Sequence, residues 1–115
     1  MHETMVAENI LRAIVEQAEK IGTRPLSAVI SCGQFNTLND EIMQFAFDAA
    51  AAGTVCEGMT LKIKHITLRA TCRQCKLMFE FDLYNPHCPG CRREEFDFEP
   101  DAPLLLEEIE FEEPK

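Results

Sequence analysis

Four of the six cysteines fall into two C-x-x-C pairs, Cys72 with Cys75 and Cys88 with Cys91, and twelve residues separate the pairs. No other feature constrains the chain as much. Each C-x-x-C turn presents two sulfurs to one metal ion, and four thiolates satisfy tetrahedral zinc. Twelve residues are enough for a short hairpin that brings the turns together, so the segment reads as a zinc ribbon. A module this small has little core without its metal. Four protein ligands leave no open position for water or substrate, which makes the zinc structural and argues against catalytic zinc.

The competing ion is iron, because C-x-x-C with C-P-x-C also resembles the rubredoxin site. Rubredoxin knuckles usually carry a glycine after each pair, whereas Lys76 and Arg92 stand there, and zinc is favoured. His87 lies beside Cys88 and offers an imidazole that could exchange with a cysteine; the plainer reading is an exposed ribbon residue. Cys32 and Cys56 are isolated and read as small buried hydrophobes.

With 115 residues, 46% of them hydrophobic, the chain fits one ordinary domain or two very small ones. Its apolar runs fall far short of the roughly 20 residues of a membrane helix. No basic segment followed by an apolar one opens it. A cytoplasmic protein off the membrane is expected, and with it metal binding rather than a disulfide framework. Net charge is −9, and ten of the twenty carboxylates lie between Glu94 and Glu113 with no Lys or Arg among them. That balance repels phosphate backbones and argues against a nucleic-acid partner.

Val6, Ile10, Leu11, Ile14, Val15, Ala18 and Ile21 recur at helical spacing, with Thr4 as N-cap and Gly22 just past the end. Such a helix leaves the first three residues outside it. Pro25 to Cys32 reads as a short strand. A second helix is capped by Asn39, presents Ile42, Met43, Phe45, Ala46 and Ala49 as its apolar face, and stops at Gly53. Thr60 to Cys72 reads as a long strand whose alternation changes phase at His65, a bulge or a change of sheet. Leu77, Phe79, Phe81 and Leu83 alternate as one face of another strand. Pro100 and Pro103 bracket an acidic linker, after which Leu105, Ile109 and Phe111 leave room for a last strand returning to the first sheet. The expected class is α+β: a small domain of two helices on a three-stranded sheet, residues 1–66 plus 104–115, with the zinc ribbon, residues 67–103, inserted in it.

Met1-His2-Glu3 is the second segment with chemistry in it. A free α-amine, the neighbouring imidazole and intervening amides can chelate one metal in a plane, a geometry that Ni(II) and Cu(II) favour. This requires that Met1 remain, and a bulky histidine at position 2 is expected to block its removal.

The Met-His-Glu start followed by a helix, then Phe45-Ala46-Phe47, Gly53-Thr54, Glu57-Gly58 and the two C-x-x-C pairs, resembles the HypA/HybF family of hydrogenase maturation factors over essentially the whole chain. The resemblance implies a metallochaperone that delivers nickel to the large subunit precursor of nickel-iron hydrogenase, working with a nickel-handling GTPase, and in some organisms supports urease. It implies Ni(II) on the Met1 amine, on the His2 imidazole and backbone nitrogen, and on Glu3. Structural Zn(II) then falls on Cys72, Cys75, Cys88 and Cys91. Thr4-Met5 and Asn39-Asp40-Glu41 depart from the family's usual residues. Asp40 reads as a carboxylate favouring the helix dipole, or as an acceptor near the nickel site. No phosphate loop or Ser-His-Asp set is present, so the reading is binding without catalysis. The alternatives are an adaptor without nickel binding, whose ribbon and acidic tail bind another protein, and a rubredoxin-like iron electron-transfer module.

Overall fold

A computed structural model of the chain describes residues 3–81 and 86–113. In chain order the elements are α1 (Glu3–Ile21), β1 (Pro25–Cys32), α2 (Asp40–Ala51), β2 (Thr60–His65), β3 (Leu68–Cys72), β4 (Met78–Phe81), β5 (Phe96–Phe98) and β6 (Leu105–Phe111). The strands form two three-stranded sheets, ordered β2-β1-β6 and β4-β3-β5. The class is α+β, and β6 does return to pair with β1.

In α1 the i, i+4 column Val6, Ile10, Ile14 and Ala18 is buried, with Leu11 and Val15 packed partly against the same core. Ile21 leaves that face and is exposed. Gly22 ends the helix at φ +82°, donating its N–H to the Ala18 carbonyl at 2.8 Å, the left-handed turn that glycine allows. Glu3 is already helical, so Thr4 lies inside the first turn and is not the cap; an acidic side chain is favoured at that end of the helix dipole.

The central strand β1 runs parallel to β2 and antiparallel to β6. A parallel pair needs a crossover, which α2 supplies. The register sets Ala28 between Leu61 and Ile109, and Ile30 between Ile63 and Leu106. Alternation puts Ala28, Ile30 and Cys32 on one face, and both helices cover that face. Asn39 caps α2 by accepting the Ile42 N–H at 2.9 Å. The apolar face of α2 is only in part the one the sequence suggests, with Met43 and Ala46 against the core and Ile42, Phe45 and Ala49 outside it. Met43, Phe47 and Ala51 form the buried column, whereas Phe45 is 77% exposed and Ile42 54% exposed. The helix carries apolar residues around most of its circumference, so periodicity alone does not single out the covered side. Gln44 fastens α2 to the outer strand, accepting the Leu61 N–H and donating to the Met59 carbonyl.

The phase change at His65 is a change of sheet. Thr60 to Cys72 is two strands, β2 and β3, and between them the Ile66 N–H donates to the Cys32 carbonyl at 2.9 Å. The turn after β1 also holds the returning chain. The Asp101 carboxylate accepts the N–H groups of Gln34 and Phe35, each at 2.8 Å, and lies so close over Gly33 that a Cβ there would strike it. Gln34 Nε2 in turn donates to the Ile66 carbonyl. One short loop thus grips both chain passages between the sheets.

In the second sheet Phe79 and Phe81 from β4 and Phe96 and Phe98 from β5 gather on one face, with ring centroids 5.0 to 6.4 Å apart in tilted and edge-on pairs. Ala70 is paired with Phe79 on one side and Phe98 on the other, and its small side chain leaves room for the rings. The strand expected from Leu77 begins at Met78, and Leu83 lies outside the described residues.

The two helices run side by side in the same direction. Val15, Ala18 and Glu19 of α1 line a groove with Thr54 and Val55, just past α2, and Val15 lines another with Ala50. The amino-terminal ends of both helices therefore share the other end of the domain, where β1 and β2 finish. No described helix is long and apolar enough to cross a membrane.

Candidate metal centre

The four ribbon cysteines converge. Their sulfurs all lie within 4.8 Å of one another, with Cys72 to Cys91 at 3.4 Å and Cys75 to Cys88 at 3.5 Å. Sulfurs about 2.3 Å from one tetrahedral zinc stand roughly 3.8 Å apart, so the cluster fits that ion. Among the described residues it is the one group of three or more potential ligands with this geometry.

Each knuckle is built the same way. The Lys76 N–H donates to the Cys72 carbonyl at 3.1 Å, and the Cys72 N–H donates to the Leu77 carbonyl at 2.9 Å. In the second knuckle Arg92 donates to the Cys88 carbonyl at 2.8 Å and Cys88 to the Arg93 carbonyl at 2.9 Å. Closing these turns drives Lys76 to φ +63° and Arg92 to φ +62°, the left-handed region that glycine prefers. These are the two positions where rubredoxin-type knuckles carry glycine. The first cysteine of each knuckle, Cys72 and Cys88, is fully buried, and the second, Cys75 and Cys91, is at the surface.

Backbone N–H donors within the knuckles favour thiolate on the inner pair. The Cys75 N–H, aided by that of Gln74, holds the Cys72 thiol down to about 6, and the Cys91 and Gly90 N–H groups lower Cys88. Cys91 has the Arg93 N–H pulling it down, yet the neighbouring Cys72 sulfur and burial prevail and raise it to about 11. Cys75 is likewise raised, against the Leu77 N–H, by Cys88 and by burial.

Because a left-handed conformation disfavours a side chain by roughly 1 kcal/mol, K76G and R92G should each tighten the ribbon. The expected result is metal loss to a competing chelator about fivefold slower per substitution, partly offset by the entropy of glycine in the unfolded chain.

The remaining sequence-derived site residues are placed as follows. Glu3 is half-buried in the first turn of α1, and Met1 and His2 lie outside the described residues. His87 pairs with Glu94, Nδ1 to Oε1 at 3.5 Å. Cys56 is buried, and burial pushes its thiol up. Asp40, on the first turn of α2, bonds His65 at 2.6 Å. That contact spans 25 residues, and nothing in local spacing announces it; the sign was only an unpaired histidine at a strand end.

Two small sheets joined through one loop, with two helices on the first and a four-thiolate knuckle site on the second, define a two-helix α+β protein carrying a zinc-ribbon-type metal centre. Residues 1–111 match the family described as hydrogenase/urease nickel incorporation, metallochaperone, HypA, and the chain belongs to that family. It is 33% identical over 115 residues to the hydrogenase maturation factor HypA of Rippkaea orientalis, covering 98% of this chain and 97% of that one. To HypA of Geobacter sulfurreducens it is 33% identical over 91 residues, 79% of this chain and 81% of the relative. The solution structure of the Ni metallochaperone HypA from Helicobacter pylori superposes with a TM-score of 0.60 over 96% of this chain and 97% of that one. At 20% identity, that likeness concerns the fold.

Proposed function

We propose that the chain is a nickel metallochaperone. It binds Ni(II) at its amino terminus through Met1, His2 and Glu3, and passes the ion to the large subunit precursor of nickel-iron hydrogenase with a nickel-handling GTPase as partner. Cys72, Cys75, Cys88 and Cys91 hold structural Zn(II). In this reading residues 1–66 with 104–115 are the nickel-binding domain, residues 67–103 are the zinc-ribbon domain, and the protein works in the cytoplasm without catalysing a reaction.

The observation that carries the proposal is the match to one family from residue 1 to 111, which takes in the amino-terminal triplet and all four cysteines together. The start of α1 at Glu3 supports it, because Glu3 stands where the chain enters a helix end that favours negative charge. Ligand exchange suffices for transfer, and any nucleotide hydrolysis belongs to the partner.

The test is a titration of the zinc-loaded protein with Ni(II), repeated on His2→Ala and on a chain extended at its amino terminus. Wild type is expected to take up about one diamagnetic, square-planar nickel at this site, as nitrogen-rich planar fields favour. Both variants should lose it. Unchanged uptake in both would remove the amino-terminal site and favour the adaptor reading; a red, reversibly reducible ribbon would favour iron.

A further inference from the structure

At the end of the first sheet where β1 and β2 finish, side chains from three elements meet. The parallel register pairs Cys32 with His65, and Cys32 Sγ lies 3.5 Å from His65 Nδ1. On the other side of the ring, His65 Nε2 is 2.6 Å from Asp40 Oδ1. An ionised carboxylate only accepts, so Nε2 carries the proton of this bond. In the neutral imidazole the Nδ1 lone pair then faces the thiol and the hydroxyl of Thr37, whose Oγ1 is 3.3 Å away. Proteins present a metal-binding imidazole in this way, the far nitrogen held by a carboxylate and the near one left to ligate. A thiolate beside an imidazole is a donor pair for borderline divalent ions. Cys32 is fully enclosed, but the His65 side chain is 36% exposed and that of Asp40 63%. The imidazole, not the thiol, is therefore the solvent-facing donor of the pair.

We propose that Cys32 Sγ and His65 Nδ1 form a second metal-binding site for a borderline divalent ion such as Ni(II), with Asp40 as its positioning residue. On binding, the sulfur–metal bond forms as the Cys32 S–H proton leaves to solvent, and no electron is transferred. The pair lies at the end of the domain where both helices begin, and its metal binding does not rest on the amino-terminal reading above.

The test titrates the full, zinc-loaded chain with Ni(II) at neutral pH, following near-ultraviolet thiolate-to-nickel charge transfer together with zinc release to a chromogenic chelator. The expected band grows without zinc release. It disappears in Cys32→Ala and in the more exposed variant His65→Gln, and persists in Cys56→Ser and His2→Ala. Asp40→Asn should weaken the apparent affinity by about tenfold or more, the usual effect of losing such a partner. Absence of the band in wild type, its survival in Cys32→Ala, or its growth in step with zinc release would each overturn the proposal. If only the amino-terminal reading fails, His2→Ala leaves total nickel uptake unchanged and the band remains, so the two outcomes are separable.

Discussion

Chelating the metal from the four-cysteine centre is expected to unfold Leu68 to Phe98 as a unit and to leave the β2-β1-β6 sheet with its two helices folded. The reason lies in how little else holds the second sheet. Its strands β3, β4 and β5 are five, four and three residues long. None of the four phenylalanines over Ala70 is fully buried, and Phe98 is 58% exposed. A sheet this short with one partly covered face falls below what stands alone in water. Structural zinc supplies on the order of 10 kcal/mol or more of binding energy, and that energy is folding energy. Backbone amide spectra should show the resonances of β3, β4, β5 and both knuckles collapsing while those of β1, β2 and β6 hold their dispersion. A ribbon that keeps its dispersion without metal would show the aromatic cluster, not the ion, to be the main support.

The same centre should be acid-sensitive in a definite direction. Zinc binds thiolates, so every thiol still protonated must release its proton on binding. With the ribbon unfolded in the metal-free state, all four thiols stand near the ordinary cysteine value of about 8.5 and are mostly protonated near pH 7. Up to four protons are then expelled on binding, and apparent affinity should fall by up to about four decades for each pH unit of acidification. Competition with a chelator of known pH dependence would measure the slope.

The second large effect is expected in the first sheet's core. Phe47→Ala should destabilise that domain by about 3–5 kcal/mol, because a fully enclosed ring leaves a cavity that the surrounding helices and strands close only in part. Against a total stability of roughly 5–15 kcal/mol this approaches unfolding. Phe45→Ala, two residues earlier on the same helix, should change stability by less than about 0.5 kcal/mol. Thermal denaturation of the pair checks the contrast. Similar losses in both would mean that Phe45, 77% exposed in the isolated chain, is covered by something in solution.

That pair of phenylalanines also marks the limit of what the sequence discloses. In α1 the apolar residues form one stripe flanked by charges, and the stripe is the covered face except at its last residue, Ile21. In α2 Ile42, Met43, Phe45, Ala46, Phe47 and Ala49 surround the axis, and only the position of β1 decides that Met43 and Phe47 turn inward. The two knuckles are legible because four sulfurs that converge on one point demand that spacing. The division at His65 is legible because alternation cannot change phase within one half-buried strand. What stays hidden is contact between positions far apart in the chain. The bond from Asp40 to His65, the seat of Asp101 over Gly33 and the short strand β5 all depend on where the two sheets meet, and no local pattern carries that information.

The seat of Asp101 has a mechanical consequence. The ribbon is tethered at two points, Ile66 on the way out and Asp101 on the way back, both held by the loop after β1. A body pinned at two points keeps one rotational freedom, about the line through them. Any swing of the ribbon against the first sheet that keeps these bonds is confined to a single arc about that line, as a door on its hinges.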